Sequence, residues 1–368
     1  MTELYKEGNV IKTFNVGLIV TMFLLFALGL ATLFSAIKGP GLQTLYKTQL
    51  VWFILGLVIG AVIIFIDSQV FEKVAYLSYG VSLILLFLVL VIGRVGGGAQ
   101  RWLSLGPIHL QPSEFAKIAL VFALAKFFAD DKEGPPYTLR RLLIPGIFVL
   151  PLFALTIIQP DLGTAGVIAL IATSMILFVG VSWKSIFIVT MSAMITIPVA
   201  YKFVLREYQR ERVKTFIDPG RDAKGSGYNA LQCRIAVGSG KVFGKSYLEG
   251  TQAQLNFIPE QHTAFIFSVY AEERGFLGTL LLLLMYGLYC FFALRTVARA
   301  RAKFEMLLAL GLASIIFWHA FINTGMVSGI LPIVGVGLPF FSYGGSSLLT
   351  FMTATALILN LGRKKYIF

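Results

Sequence analysis

The chain has 368 residues, of which 57% are hydrophobic and only 13% charged, and its mean hydropathy is +0.82. No soluble globular domain of this length needs that much apolar surface, so a water-soluble enzyme is excluded and an α-helical membrane protein is expected. The net charge of +13 would point to nucleic acid in a soluble protein; here its meaning depends on where Lys and Arg sit relative to the bilayer.

A bilayer-spanning helix takes about 20 apolar residues. In chain order such runs fall at roughly 14–36, 49–66, 74–93, 115–128, 142–158, 162–180, 185–205, 276–294, 306–327 and 346–362. They predict an all-α polytopic membrane protein with about ten transmembrane helices, forming a single integral membrane domain over 1–368. The first run follows a charged, acid-containing segment and lacks a small-residue cleavage site, so it reads as a retained span. With the N-terminus inside, the cytoplasmic segments collect Lys6, Lys12, Lys73, Lys126, Lys132, Arg140, Arg141, Lys184, Arg295, Arg299, Arg301, Lys303, Arg363, Lys364 and Lys365, whereas the short external loops keep Lys38, Lys47, Arg94 and Arg101. Both termini are therefore expected in the cytoplasm. The stretch 206–262, between spans seven and eight, is expected as a large periplasmic loop although it is basic, because long loops cross largely regardless of charge. A structureless loop of that length is usually functional, and a basic one suits anionic ligands. Cys233 falls in this loop and Cys290 in a span, so no disulfide is expected. No cluster of Cys and His suggests a metal site.

Polar and ionisable residues in or beside the spans carry the functional signal. The first cluster runs from Gly98 to Gly106 and from Leu110 to Lys117. Pro112 fits a first helical position, and Glu114 falls in the first turn, where the helix dipole favours a carboxylate. Capping accounts for Glu114 but not for Lys117, three residues on and on the same face. The pair, with Arg101 upstream, suits a charged pocket opening to the external side. The second cluster, Gln159-Pro160-Asp161-Leu162-Gly163-Thr164, places Asp161 to cap the next helix and Gly163 to allow close backbone approach. The third is the long loop, whose pairs Gly240-Lys241 and Gly244-Lys245 lack the Walker spacing, so a nucleotide site is rejected. The fourth runs from Asn323 to Val336 and from Leu338 to Ser347; its density of Gly, Ser and Pro marks a tightly packed or re-entrant loop at membrane depth.

Together these segments resemble the signatures of the SEDS family (shape, elongation, division and sporulation), in the family's order: Gly98-Ala99-Gln100-Arg101-Trp102, Gln111-Pro112-Ser113-Glu114, Gln159 to Thr164, Gly250-Thr251-Gln252, Ile258-Pro259-Glu260-Gln261-His262-Thr263, and Leu338 to Ser347. Within it, Asn323 to Pro332 with Val334-Gly335-Val336 resembles the RodA-type, elongation branch. The resemblance implies a peptidoglycan glycosyltransferase of the bacterial inner membrane. Such an enzyme polymerises lipid II into glycan strands for cell elongation and rod shape, releasing undecaprenyl pyrophosphate. Implied partners are the nascent strand, a class B penicillin-binding protein (a transpeptidase) and other membrane proteins of the elongation complex, with no nucleic acid. The implied reaction centre is position 264 with Glu114 and Lys117. Implied substrate contacts are Arg101, Gln111, Asp161, Arg210, Glu260, His262, Thr263, Ser342 and Tyr343. No cofactor is specified; a divalent cation, Mg or Mn, or the Arg and Lys of the basic loop would serve to polarise the acceptor hydroxyl.

The chain departs from the family at Ala264, where the family carries the Asp that is the leading candidate for the general base. A methyl group neither accepts a proton nor binds a cation, so the chain as written is expected to bind substrate and polymerise poorly. An inactivating exchange fits this, and so does a natural variant relying on Glu260 or Glu114. Thr263 is expected to cap a helix that opens at 264. The alternative function is a lipid II flippase or transporter, or a scaffold of the elongation machinery. A flippase needs comparable polar groups at the cytoplasmic ends of its spans, where this sequence offers mainly ordinary loop charges.

Overall fold

A computed structural model describes residues 15–37, 42–96, 99–106, 108–203, 207–218, 220, 225–255, 257–258 and 260–363. The elements in order are α1 (Val16–Ala36), α2 (Leu42–Phe65), α3 (Ser68–Lys73), α4 (Ala75–Ile92), β1 (Arg94–Gly96), β2 (Ala99–Leu105), β3 (Ile108–Leu110), α5 (Pro112–Asp130), α6 (Leu143–Ile158) and α7 (Leu162–Val179). There follow α8 (Trp183–Phe203), α9 (Glu207–Ile217), α10 (Ser226–Ser239), α11 (Thr251–Gln254), α12 (Ile266–Val297), α13 (Lys303–Val327) and α14 (Gly345–Leu361). Each apolar run expected from the sequence lies on one of these helices. Seven, namely α1, α2, α4, α7, α8, α12 and α13, are long and apolar enough to cross a membrane, and α6 and α14 are shorter apolar helices.

The exception is informative. Helix α5 carries Glu114, Lys117, Lys126 and Asp130, so its profile is not purely apolar, yet Ala116, Leu120, Val121, Leu124 and Ala125 are fully enclosed. A helix closed off on all faces belongs at the centre of a bundle, and α5 packs against α4, α13 and α7. The long helix α12 starts ten residues before the run expected at 276, because Glu272, Glu273 and Arg274 interrupt the apolar pattern. Its two parts meet at Gly275 with φ 64°, a conformation that costs a residue with a Cβ but not glycine.

Two segments differ from the sequence expectation. Residues 94–110 are not a simple loop: β1, β2 and β3 form an antiparallel sheet in that order, Leu103 pairing with Leu110 and Arg94 with Trp102. The all-α expectation thus gains a small sheet, whose short strands fall below any membrane-span window. The stretch 206–262 is likewise not structureless, since it holds α9, α10 and α11. The polar α9 is supported by a Lys214–Glu211 pair at 2.6 Å. Helix α10 packs on α12 and buries Cys233 and Ala236; burial pushes the Cys233 thiol up to about 12. Gly97, Gly98, Arg206, Pro219, Arg221, Lys224 and Pro259 lie outside the described residues.

The basic loop is fastened to α12 through one carboxylate. Glu272, fully buried, accepts from Lys245 Nζ at 2.8 Å, Thr251 Oγ1 at 3.1 Å and Gln252 N at 3.1 Å. Its neighbour Glu273 accepts from Leu248 N at 3.1 Å and from Ser35 Oγ on α1. A Cβ on Gly240 would lie 2.2 Å from Ala271 O, so glycine there permits the close seating. Glu272→Ala strands Lys245 and the Gln252 amide, and a cost of about 3–5 kcal/mol is expected. The check is limited proteolysis: residues 240–255 should become cleavable in the variant and resist cleavage in the parent.

Candidate active site

The two clusters around Glu114 and Asp161 meet at one end of the bundle. This is the end where α5, α7, α12 and α14 begin and where α4 and α6 finish. A cavity of about 740 Å³ opens there, its wall including Arg101, Gln111, Glu114, Asp161, Thr263, Ala264 and Tyr343. Its volume falls within the range of small-molecule sites, roughly 300–1,000 Å³. Four helix N-termini directed toward it add a positive field that favours anionic groups. Trp52 of α2 and Arg94 and Trp102 of the sheet also line it.

Asp161 caps α7 as expected, accepting from Thr164 N at 3.2 Å and Thr164 Oγ1 at 3.0 Å. It also accepts from Gln111 Nε2 at 3.1 Å and lies 3.8 Å from Arg101 Nη1. Arg101 further donates to Gln159 O at 3.2 Å and to Pro160 O. The strand residue Arg101, the α5 cap residue Gln111 and the α7 cap Asp161 therefore form one network, which binds the sheet to two helix starts. Gly163 has the role expected of it: a Cβ there would lie 2.5 Å from Val334 O.

Pro112 opens α5, and Glu114 follows in the first turn. Lys117, fully enclosed, donates to Glu114 Oε1 at 2.8 Å. Its ammonium also lies 2.6 Å from His319 Nε2 on α13. Glu114 Oε2 is buried without a protein partner. An ion pair removed from water this completely is costly unless its hydrogen bonds are filled, and the bare oxygen beside a cavity is the kind of exception that functional sites hold.

Residues 262–264 are fixed by their backbone. His262 O accepts from Tyr343 N at 2.9 Å, Thr263 O from Ser342 Oγ at 2.7 Å, and Ala264 O from Asn323 Nδ2 at 2.8 Å. Three consecutive carbonyls thus have three donors from two other segments, and Ala264 faces the cavity. The helix expected to open at 264 opens instead at Ile266, with Phe265 at its cap and no side-chain cap bond. Thr263 does not cap it; its hydroxyl turns back to Glu260, donating to Glu260 O at 3.1 Å and Oε2 at 3.0 Å. The turn over 260–265 takes up the two residues that the sequence reading gave to the helix.

The other expected contacts divide. Ser342 lies behind the wall as a strut, its hydroxyl also accepting from Leu338 N at 2.8 Å. Glu260 and His262 lie next to the lining but are not part of it, and the His262 and Tyr343 rings are 6.0 Å apart. Arg210 is elsewhere, donating to Lys202 O at 2.8 Å. Among the described residues no group of three or more His, Cys, Asp or Glu is placed to hold a metal ion. The sequence reading missed His319 and the anchoring role of Asn323. An ionisable residue inside an apolar run is itself a signal, and His319 meets that description.

The FtsW/RodA/SpoVE cell cycle protein family model matches residues 12–367. The chain is 42% identical over 307 residues to the peptidoglycan glycosyltransferase MrdB of Escherichia coli K12, covering 83% of this chain and 82% of that one. It superposes with a TM-score of 0.83 on a chain of a peptidoglycan synthase complex described as coordinating polymerization and crosslinking, at 32% identity over 95% of this chain and 97% of that one. Its TM-score to the rod shape determining protein RodA of Thermus thermophilus is 0.71, at 29% identity over 95% and 96% of the two chains. With its apolar helices, this kinship makes it a multi-pass membrane protein. The chain belongs to the FtsW/RodA/SpoVE family.

Proposed function

We infer that the chain is a peptidoglycan glycosyltransferase of cell elongation, and that its substrate is lipid II. The observation that carries this reading is the cavity, whose wall holds Arg101, Glu114, Asp161 and position 264 together at the starts of four helices. In the reaction, the acceptor sugar's hydroxyl oxygen bonds to the anomeric carbon of the donor. The bond from that carbon to the pyrophosphate oxygen breaks, and the electron pair leaves with undecaprenyl pyrophosphate. The hydroxyl proton goes to a base. Helix N-termini and arginine suit the departing pyrophosphate. Asp161, engaged by Gln111, Thr164 and Arg101, is suited to orienting the sugar and the arginine. The base position is 264, which Ala264 leaves empty of a proton acceptor; a divalent cation, if one acts, enters with the substrate.

The test is incubation of the purified Ala264→Asp protein with lipid II, scored for glycan strands. Strands support the reading. Movement of lipid II across sealed vesicles without strand formation replaces it with a flippase.

The membrane placement proposed is the bacterial inner membrane with both termini cytoplasmic and the 206–262 segment periplasmic. The exposed positions Glu211 and Arg140 serve as reporters. In intact cells Glu211→Cys should react with an impermeant thiol reagent and Arg140→Cys should not, while Cys233, enclosed and poorly ionised, stays silent. Labelling of Arg140→Cys alone inverts the map. The partner proposed is a class B penicillin-binding protein, supported by the likeness to a synthase complex in which polymerization is coordinated with crosslinking.

A further inference from the structure

His319 is a buried ionisable group on α13 that the reaction just described leaves unused. It is 3% exposed, and its ring meets Phe351 edge-on with centroids 4.9 Å apart. Its two ring nitrogens have different partners. Nδ1 lies 3.2 Å from Gly337 O; a carbonyl only accepts, so Nδ1 carries the proton. In a neutral imidazole that leaves a lone pair on Nε2, and there the Lys117 ammonium, which only donates, sits 2.6 Å away. The tautomer is therefore set from both sides.

This arrangement constrains Lys117 in turn. An ammonium on a four-carbon stem rotates freely and can spread its donors over both oxygens of a carboxylate. Here it lies between His319 Nε2 and Glu114 Oε1, the latter at 2.8 Å. Glu114 Oε2 is left without a protein partner, and Glu114 and His319 both line the cavity beside Ala264. One helical turn along α13, Asn323 Nδ2 holds Ala264 O at 2.8 Å and Val336 O at 2.7 Å. A single helix face thus sets the lysine, the wall at 336–337 and position 264. A ring that only filled space would need no bare nitrogen, and phenylalanine would fill it without desolvating polar groups.

Resting on the glycosyltransferase reading, we propose that His319 is a positioning residue for the transfer: by accepting from Lys117 through Nε2 it holds that ammonium on Glu114 Oε1 and so fixes the carboxylate in the cavity wall that also holds position 264. With its carboxylate fixed, the wall offers the reacting groups one arrangement to seat against, not several. The bonds made and broken are those given above.

The experiment takes as parent whichever of this chain and its Ala264→Asp variant polymerises lipid II faster. It compares His319→Leu, His319→Asn and His319→Gln. The Gln Oε1 can accept where Nε2 did; the shorter Asn does not reach Lys117. Leu and Asn should lower kcat on the order of 100-fold, the scale of a misplaced reacting group, with KM for lipid II changed less than about threefold. Gln should recover turnover to within about fivefold of the parent. A Leu variant as fast as the parent, or a loss that Gln does not rescue, overturns the proposal. A second readout needs no catalysis. In protein labelled with heavy nitrogen at its three histidines, one ring should be protonated at Nδ1 and bare at Nε2, and that signal should vanish in His319→Gln. An Nε2-protonated ring at 319 overturns the proposal as well. Should neither parent make polymer, the glycosyltransferase reading falls, and the nitrogen spectrum still decides how His319 is arranged.

Discussion

Ala264→Asp is expected to raise lipid II polymerisation by about 10²–10⁴-fold over the chain as written, the usual worth of a positioned general base. Position 264 borders the cavity, and its carbonyl is held by Asn323 while its two predecessors are held by Ser342 and Tyr343. A side chain placed there is therefore aimed by the backbone, and little entropy remains to be lost when substrate binds. Because α12 starts at Ile266 with Phe265 at its cap, an aspartate at 264 stands just before the helix start, near its positive end, which favours the ionised carboxylate. Kept ionised, it can still take the proton of a hydroxyl that a neighbouring cation polarises. The measurement is product formation from lipid II by the two proteins side by side, each alone and with the cognate penicillin-binding protein. Equal rates mean that position 264 is not the base, and the geometry then favours Glu114, which lines the same cavity.

Lys117→Ala in the Ala264→Asp background is the second large effect. Lys117 is fully buried, and its removal leaves Glu114 a carboxylate without its cation and His319 Nε2 without its donor. Breaking one side of such a pair costs about 3–5 kcal/mol of stability, and turnover should fall with it. To separate the two losses, Glu114→Leu with Lys117→Met replaces both charges by apolar groups. That double variant should recover most of the thermal stability and none of the activity. Full turnover in Lys117→Ala returns the pair to a structural role.

The positions of the apolar helices are readable because a continuous apolar run of bilayer length has few other uses, and each predicted run lies on a helix. What the sequence hid was short or charged. The start of α12 carries Glu272 and Glu273, whose partners come from a loop some 20–30 residues upstream and from α1, so no local pattern announces a helix there. The sheet at 94–110 is held by contacts to α4, and α10 and α11 by contacts to α12, which periodicity does not report. The site was legible in part. Glu114 with Lys117 follows from three-residue spacing on a helix, and Asp161 from capping chemistry. His319 lies 202 residues from Lys117 in the chain, and only the packing of α13 on α5 brings them together. Arg210 lies away from the cavity, bonded to Lys202 O, because position within a long loop is no guide to where a side chain ends.

The backbone strap over 262–264 has a consequence for the cell as well as for the chemistry. Because its bonds run through carbonyls, they are indifferent to the side chain at 264, and alanine and aspartate copies should fold alike and present the same outer surface. A copy that lacks the base would then occupy whatever complex the active copy joins and stall it from within. Expressed beside a working copy, the alanine form should poison wall growth in proportion to its abundance.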